Sequence, residues 1–515
     1  MSEAQEVLVT AVKNQPKKRG CFCGCLIAIL ILAFPFWWFC LHTTPLRVSK
    51  ETTYVLGPMT SDGKRIDYFR AMEEQNYPPE MKTDDNGYRL IVRACGDMAR
   101  RTKRQSVSEV FFGKPTEELD PEPFRLQVYE KLGLDPNEEP TLKIESAYGH
   151  LKKYDEANPA DDEKQTHSYQ FDRKRFWTFD DFPELKDWLD ENSAGLDLLG
   201  EAVRKPVFRI PYTRRDENAS ILERVLSGSE MVLCREWARA AQARVGYRRG
   251  IGDIDGAIDD IVTIHRLGRH VGRLGTLVYG LVGIAIEGMG SATTGIGNNP
   301  EFPPTKEQIE RLMTEINALP PRVALNEVLL SERLFGLATW QDLYWSNDTW
   351  QEDGLWGWWI NKPPYACLYP YLIRTVDLNT LLARTNKAYD AFDTSDRTLD
   401  GKPLEEALKP SWNPLRYLTV RSRSKQIANG LNGALGFAVD AAQEAWRRCE
   451  CADNMKRLTL ALLLYEKEHG TLPEGDWREA VKPYLGDDAE KCFRCPSHRN
   501  LADDETCYAM IGGVP

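Results

Sequence analysis

The sequence has fewer basic than acidic residues. Its 66 Lys and Arg residues against 77 Asp and Glu residues give a net charge of −11 and a pI near 5.4. Nucleic-acid-binding proteins usually present a basic face, because contacts with the phosphate backbone supply most of the affinity. The composition therefore excludes nucleic acid as an expected partner, and it makes an anionic membrane surface a poor partner for the chain as a whole.

The sequence also lacks the short motifs of the commoner enzyme classes. It has no G-x-x-x-x-G-K-[ST], H-E-x-x-H, G-x-S-x-G or G-x-G-x-x-G. The stretch GDIDG at residues 252–256 has too few ligand positions for a calcium loop, so we predict a hairpin turn with a helix cap there. We expect no cofactor and no resident metal, and a role other than catalysis.

One stretch has no charge at all, from Cys21 to Leu41. As a helix its 21 residues would be about 31 Å long, which is enough to cross the hydrocarbon core of a bilayer. A cleavable signal would end in small residues, but here the apolar run continues into Trp37 and Trp38. We therefore predict a transmembrane helix over residues 21–41 that stays attached as a signal-anchor.

Of the basic residues close to this stretch, Lys13, Lys17, Lys18 and Arg19 precede it, whereas only Arg47 and Lys50 follow. The positive-inside rule then keeps residues 1–20 as a cytoplasmic tail. The predicted location is the cell membrane, crossed once, with all residues after the span on the extracytoplasmic side.

Apolar residues recur at three- and four-residue intervals through much of the rest of the chain, a pattern typical of amphipathic helices. The clearest case is a helical hairpin from about residue 221 to residue 294. A capping box of Thr305 and Gln308 begins another helix. We predict a mainly α fold in which residues 46–430 form a mostly helical extracytoplasmic domain, either a solenoid of helical hairpins or an irregular bundle.

The stretch TLVYGLVGIAIEGMG at residues 276–290 is nearly as apolar as the predicted span. It has only about fifteen residues, and Glu287 lies near its end. We predict a buried helix here and not a second span.

Aromatic residues concentrate between Trp340 and Tyr371, with carboxylates between them. One hypothesis is a binding surface made by Trp340, Trp345, Trp350, Trp356, Trp358 and Trp359. The alternative is a glycan-directed hydrolase, because a sugar-cleaving site combines aromatic platforms with an acid and a base or nucleophile. Its candidate catalytic residues are Asp342, Asp348, Glu352 and Asp353.

The C-terminal segment has an ordered set of features: a cysteine and an asparagine, an apolar helix ending in Tyr and Gly, Leu-Pro, a short helix, Tyr-Leu and Cys-Pro-Ser. The residues that carry it are Cys451, Asn454, Leu458, Tyr465, Gly470, Pro473, Tyr484, Leu485, Cys495 and Pro496. Over about 65 residues it resembles the head region of bacterial type IV pilin-like secreted proteins. The resemblance implies a small α+β pilin-head-like module at residues 431–515.

This segment departs from pilins in what precedes it. No membrane helix and no prepilin cleavage motif stand directly before Cys451, so a polymerising pilin is not expected. The body of the chain resembles uncharacterised, membrane-anchored bacterial envelope proteins. This resemblance implies a location at the envelope without indicating any chemistry. For the chain as a whole we predict a binding or scaffolding role, with envelope proteins or cell-wall glycan as partners.

Cysteines also concentrate in this segment. In an oxidising compartment a small module gains stability from a covalent link. By closing the loop between them, a Cys451–Cys495 disulfide would stabilise the folded module by roughly 4 kcal/mol. A zinc site of Cys449, Cys451, Cys492 and Cys495 is the alternative, although the first pair is one residue short of the usual spacing. We favour the disulfide and leave the zinc site open.

Overall fold

The computed structural model describes residues 43–96, 122–160, 162, 164, 166–214, 229–293, 299–345, 376–393, 397–409, 413–486, 489–496 and 508. Over these residues the chain is mainly α-helical, which confirms the prediction of a mainly α fold. The helices are α1 (Tyr68–Asn76), α2 (Gly87–Cys95), α3 (Glu122–Leu132), α4 (Ala147–Ala157), α5 (His167–Arg173), α6 (Leu185–Ala202), α7 (Ser229–Gly250), α8 (Ile254–Val271), α9 (Leu277–Thr293), α10 (Lys306–Asn317), α11 (Leu325–Trp345), α12 (Leu378–Asp393), α13 (Leu404–Leu408), α14 (Val420–His469), α15 (Trp477–Leu485) and α16 (Ala489–Cys492).

A short hairpin and two 3-10 turns complete the described elements. Strands β1 (Thr398–Leu399) and β2 (Lys402–Pro403) pair antiparallel, with Thr398 opposite Pro403. The two turn residues, Asp400 and Gly401, both have positive φ, as a two-residue hairpin loop of type I′ requires. The 3-10 turns cover Pro79–Lys82 and Pro414–Tyr417.

Several helix ends lie where local chemistry predicts them. The capping box of α10 is present, since Thr305 and Gln308 each accept a hydrogen bond from the other's backbone N–H. Asp253 caps α8 by accepting a hydrogen bond from the Gly256 N–H, which confirms the turn-and-cap prediction for GDIDG. Gly470 ends α14 with a left-handed backbone, φ 78°.

From the sequence, the apolar spacing after Phe179 predicts a helix that is capped at Asp180 or Asp181. That start is wrong, because α6 begins at Leu185 with Glu184 at the cap position. Asp181 instead accepts hydrogen bonds from the Thr178 N–H and the Lys174 ammonium, so its carboxylate closes a turn before the helix.

Helices α7, α8 and α9 follow one another as packed hairpins, as the pattern predicted. Close packing of α8 on α9 depends on glycine, because a Cβ on Gly283 would lie 2.6 Å from the Gly268 carbonyl oxygen. Helix α9 contains the apolar stretch around Glu287, and it contributes Tyr279 and Ile286 to the core. Among the described helices, none has both the length and the apolar character needed to cross a bilayer. The predicted span at residues 21–41 lies outside the described residues.

Among the described residues, the buried apolar side chains fall into three groups, and α14 contributes to all of them. Ala428 belongs to the group around α11 and α12, and Val439 to the group around α13 and the hairpin. Leu458 and Leu464 belong to the largest group, with α2 through α10, α15 and α16. With 50 residues, α14 is about 75 Å long. It therefore acts as a spine, against which α9, α10, α12, α13, α15 and α16 pack.

The boundary predicted between residues 430 and 431 falls inside this spine helix. The structure describes residues 431–496 except Asp487 and Asp488, and the described elements of this segment are helices. The β1–β2 hairpin precedes the segment. Helices α15 and α16 pack against α14, and their buried residues Val481, Leu485 and Cys492 join the largest core. The C-terminal segment therefore shares its core with the body.

Candidate functional site

Of the aromatic-rich region between residues 340 and 371, the structure describes only residues 340–345. Trp340 is 3% exposed, and its Nε1–H donates to Thr385 Oγ1 at 2.8 Å. Its assignment to a binding surface was therefore wrong, because the ring packs in the core between α11 and α12. Trp345 is partly buried, with its ring edge-to-face to Tyr344 at 5.2 Å. The candidates Trp350, Trp356, Trp358 and Trp359 lie outside the described residues.

Of the candidate catalytic carboxylates, only Asp342 is described, and Asp348, Glu352 and Asp353 lie outside the described residues. Asp342 lines a small polar cleft beside Arg65, whose Nη1 is 3.9 Å from its Oδ1. The cleft contains a second carboxylate, Asp67, held by Arg214 through hydrogen bonds of 3.1 Å to both oxygens. Each carboxylate of this cleft is thus matched by an arginine.

The two cysteines predicted to pair lie close together. Cys451 is on α14 and Cys495 follows α16, and their Sγ atoms are 3.1 Å apart, both as free thiols. The Tyr508 hydroxyl is 3.1 Å from Cys451 Sγ. Asn454 donates hydrogen bonds from Nδ2 to the carbonyls of Lys491 and Arg494, at 3.3 and 2.9 Å. This side chain ties the segment carrying Cys495 to the helix one turn after Cys451.

The other two cysteines of the zinc alternative are buried. Cys492 is 1% exposed, within the core, and Cys449 is 9% exposed. Burial and the neighbouring Glu287 carboxylate raise the pKa of the Cys449 thiol to about 12, so this thiol is protonated near pH 7. In the described part of the chain, which includes all four cysteines, no three His, Cys, Asp or Glu side chains converge as a metal-binding group.

A buried ion network joins α14 to the body of the protein. Glu287 of α9 is 1% exposed and contacts two arginines. Its Oε2 lies 2.8 Å from Arg269 Nε, and Arg322 binds both of its oxygens at 3.1 and 2.8 Å. The same arginines reach Asp453 of α14, whose Oδ2 is 3.1 Å from Arg269 Nη2 and 2.8 Å from Arg322 Nη2. Two carboxylates from different helices thus share two guanidinium groups.

Lys456 and His265 extend the network along α14. The Lys456 ammonium, on a residue only 6% exposed, donates to Asp453 Oδ1 at 3.0 Å and lies 3.3 Å from His265 Nε2. His265 is fully buried on α8. Room for its ring comes from Gly290, where a Cβ would lie 2.9 Å from Nε2.

Burial and charge set the protonation states of this network. Although burial of the carboxyl acts in the opposite direction, the charges of Lys456, Arg322 and Arg269 hold the pKa of Asp453 well below its ordinary value. Burial, reinforced by the Lys456 ammonium, keeps the pKa of His265 well below its ordinary value. The imidazole is therefore neutral near pH 7, and three cations face two carboxylates.

This network was not predicted, although the sequence contains one sign of it, since Glu287 interrupts an apolar stretch. From their spacing, Cys451, Met455, Leu458, Leu462 and Tyr465 predict one apolar stripe on α14. Met455 is instead 47% exposed, and the neighbouring Lys456 is buried. A charged residue among apolar neighbours on a helix is the signal that points to a buried, paired group.

One comparison with known proteins identifies a related segment. Residues 440–488 match the family described as Protein of unknown function (DUF1559). The match is consistent with the resemblance to pilin-like secreted bacterial proteins, and it covers the second half of α14 and all of α15. Cys451, Asp453 and Lys456 lie in the matched segment. No curated protein and no solved structure matches the chain.

Proposed function

We propose that this chain is a single-pass, membrane-anchored extracytoplasmic protein that acts in binding or scaffolding at the cell envelope. The observation that carries the proposal is the family match of residues 440–488, because this segment continues without a break into the spine of a helical body. An uncharged stretch of 21 residues near the N-terminus supplies the anchor.

The mechanical role proposed for the body is to hold the C-terminal module at a fixed position. A single helix of about 75 Å contributes to three cores, so the module and the body cannot separate without breaking that helix. We take the body to be an irregular helical bundle built on this spine. Residues 431–515, which begin within the spine, then form the pilin-head-like module.

A disulfide between Cys451 and Cys495 is part of this proposal. The two Sγ atoms are already in contact at 3.1 Å, and Asn454 holds the two segments together. Two thiols become one disulfide by losing two protons and two electrons, which an oxidised thiol–disulfide exchange protein of the extracytoplasmic space accepts. The product is a staple across the module.

The anchor is tested by expressing the full chain in a bacterium, washing the membranes in alkaline carbonate and determining the N-terminus by mass spectrometry. We expect the chain to stay in the membrane fraction and to retain residues 21–41. A mature chain that begins after Thr44 would contradict the proposal.

The binding role is tested with the full chain in detergent, mixed separately with cell-wall glycan and with envelope proteins. A variant in which Lys306→Ala and Glu468→Ala remove an exposed ion pair on the same molecule serves as the matched control for nonspecific charge effects. Saturable binding to either material is expected from chain and control alike. Turnover of glycan, with release of reducing ends, would contradict a role without catalysis.

A further inference from the structure

We propose that one end of the helical body docks directly on the anionic headgroups of the bilayer. This face, called here the anchor-proximal face, consists of residues 44–51, 377–379 and 416–425. The inference rests on the proposed function, because it takes residues 21–41 as the span.

The chain that follows the predicted span is fixed to the body within a few residues. Thr44 donates from Oγ1 to Asp377 Oδ1 at 2.7 Å, just before α12. Asn379 holds the same stretch from the other side, since its Nδ2 donates to the Pro45 carbonyl at 2.8 Å and its Oδ1 accepts from the Arg47 N–H at 2.7 Å. No flexible linker therefore separates the start of the body from the predicted span.

The short chain between span and body limits how far the body can be from the membrane. Thr44 is three residues after Leu41, and three residues extend over at most about 11 Å. The headgroup layer on one side of a bilayer is roughly 5–7 Å thick. Thr44, where the anchor-proximal face begins, must therefore lie within or directly above the headgroups.

The N-terminal end of α14 lies at this same face. The Asp377 N–H donates to Ser424 Oγ at 2.8 Å, and farther along Arg384 Nε donates to Asn429 Oδ1 at 2.7 Å. Because later residues of α12 meet later residues of α14, the two helices run parallel and start at the same end. The segment before α14, which includes Leu418, is thus brought beside the chain leaving the span.

The side chains on this face have the chemistry of a membrane-surface contact. Exposed cations lie on both segments, together with exposed apolar side chains and one exposed carboxylate. The cations are Arg47, Lys50, Arg416 and Arg421, and the carboxylate is Glu51. The apolar residues are Leu418, which is 53% exposed, and Val48, which is 39% exposed. Lys425 is excluded from this set because it pairs with Asp400 at 3.1 Å. An acidic chain with a net charge of −11 thus has a locally basic face where its anchor emerges.

The charge pattern favours lipid over a protein partner at this place. Each Lys or Arg close to an anionic bilayer contributes roughly a fivefold preference for the surface. Exposed Leu418 lies among these cations. An apolar side chain at a bilayer surface gains free energy by entering the headgroup boundary. Basic residues around an apolar side chain, tethered close to the membrane, fit an anionic bilayer surface.

The experiment places a photo-crosslinking amino acid at one of three positions of the full chain in nanodiscs. Leu418 tests the face, Trp37 tests the predicted span, and Leu472 is the control, an exposed leucine beyond the far end of α14. In nanodiscs with anionic lipid we expect strong lipid adducts from Trp37 and Leu418 and background adducts from Leu472. In zwitterionic nanodiscs the adducts from Leu418 should fall several-fold while those from Trp37 stay constant.

A variant with fewer cations tests the electrostatic attraction between the anchor-proximal face and anionic lipid. Arg416→Ala with Arg421→Ala should lower the docking equilibrium about 25-fold at low ionic strength, from two fivefold contributions. Lys467→Ala, an exposed cation near the far end of α14, should leave Leu418 adducts unchanged. Circular dichroism verifies folding of each variant.

The outcomes separate the two proposals. Background adducts from Leu418 with strong adducts from Trp37 would overturn the docking proposal and leave the anchor in place. Background adducts from Trp37 would refute the span on which the proposed function depends. Equal adducts from Leu418 and Leu472 would show contact without a specific face, and would also overturn the docking proposal.

Discussion

Neutralising Glu287 should destabilise the whole protein through the network that joins α14 to α9. In Glu287→Gln the side chain keeps its shape and loses its charge, so Arg269 and Arg322 are opposed by Asp453 alone. The side chains of both arginines are only 10% exposed, and water cannot replace the lost partner. Removing one member of a buried ion pair typically costs about 3–5 kcal/mol, because the remaining charge stays buried.

This magnitude is large against the 5–15 kcal/mol that typically separates folded from unfolded domains. The assay is urea unfolding of the full chain in detergent, followed by far-ultraviolet circular dichroism. The matched control is Glu444→Gln on α14, whose carboxylate pairs with Arg448 at 3.0 Å on the exposed side of the helix. We expect the control to change the free energy of unfolding by less than about 0.5 kcal/mol.

A loss of unfolding free energy in Glu287→Gln that is no larger than the loss in Glu444→Gln would contradict this prediction. Such a result would mean that the arginines find other partners or water when the carboxylate is neutral. The network would then not be the element that couples the spine to the body.

Three further predictions concern packing, pH and redox state. Gly283→Ala should destabilise the folded protein by about 1–3 kcal/mol, because the new Cβ would meet the α8 backbone. Gly288→Ala, where a Cβ would have nothing within 4 Å, should instead stabilise it by up to about 1 kcal/mol. Thermal unfolding of both variants checks the sign. Burial lowers the pKa of His270 to about 4, so as the pH falls the unfolded chain binds the proton at a higher pH than the folded chain does. About 3 kcal/mol of the free energy of unfolding should therefore be lost between pH 6.5 and pH 4. The loss should be smaller in His270→Gln. Native protein purified without reductant should resist alkylation at Cys451 and Cys495, and reduction should lower the free energy of unfolding by up to roughly 4 kcal/mol; free alkylation of both thiols would contradict the disulfide.

Local features of the fold were predictable because their causes are local. The capping box at Thr305 and Gln308, the turn at Asp253 and the left-handed end at Gly470 each depend on a few neighbouring residues. Helices α7 to α9 were predictable from apolar spacing over a single turn or two. The start of α6 was missed because Asp181 makes a turn with Thr178, a competition between two local hydrogen-bonding patterns.

The candidate site was less predictable because it is assembled from distant segments. Glu287 and Asp453 share their arginines across more than 160 residues of sequence, and no periodicity encodes that pairing. Trp340 shows the same limit for aromatic residues, since a tryptophan on a helix has the same sequence signature on a surface and in a core. Its hydrogen bond to Thr385 depends on a helix that begins more than thirty residues later.

Anchoring of an extracytoplasmic body is tested by protease treatment of intact cells that produce the full chain with different epitope tags at its two ends. We expect protease to remove the C-terminal tag and the body, and to leave a short membrane-bound fragment with the N-terminal tag. A C-terminal tag protected in intact cells and digested only after lysis would contradict an anchored, extracytoplasmic body.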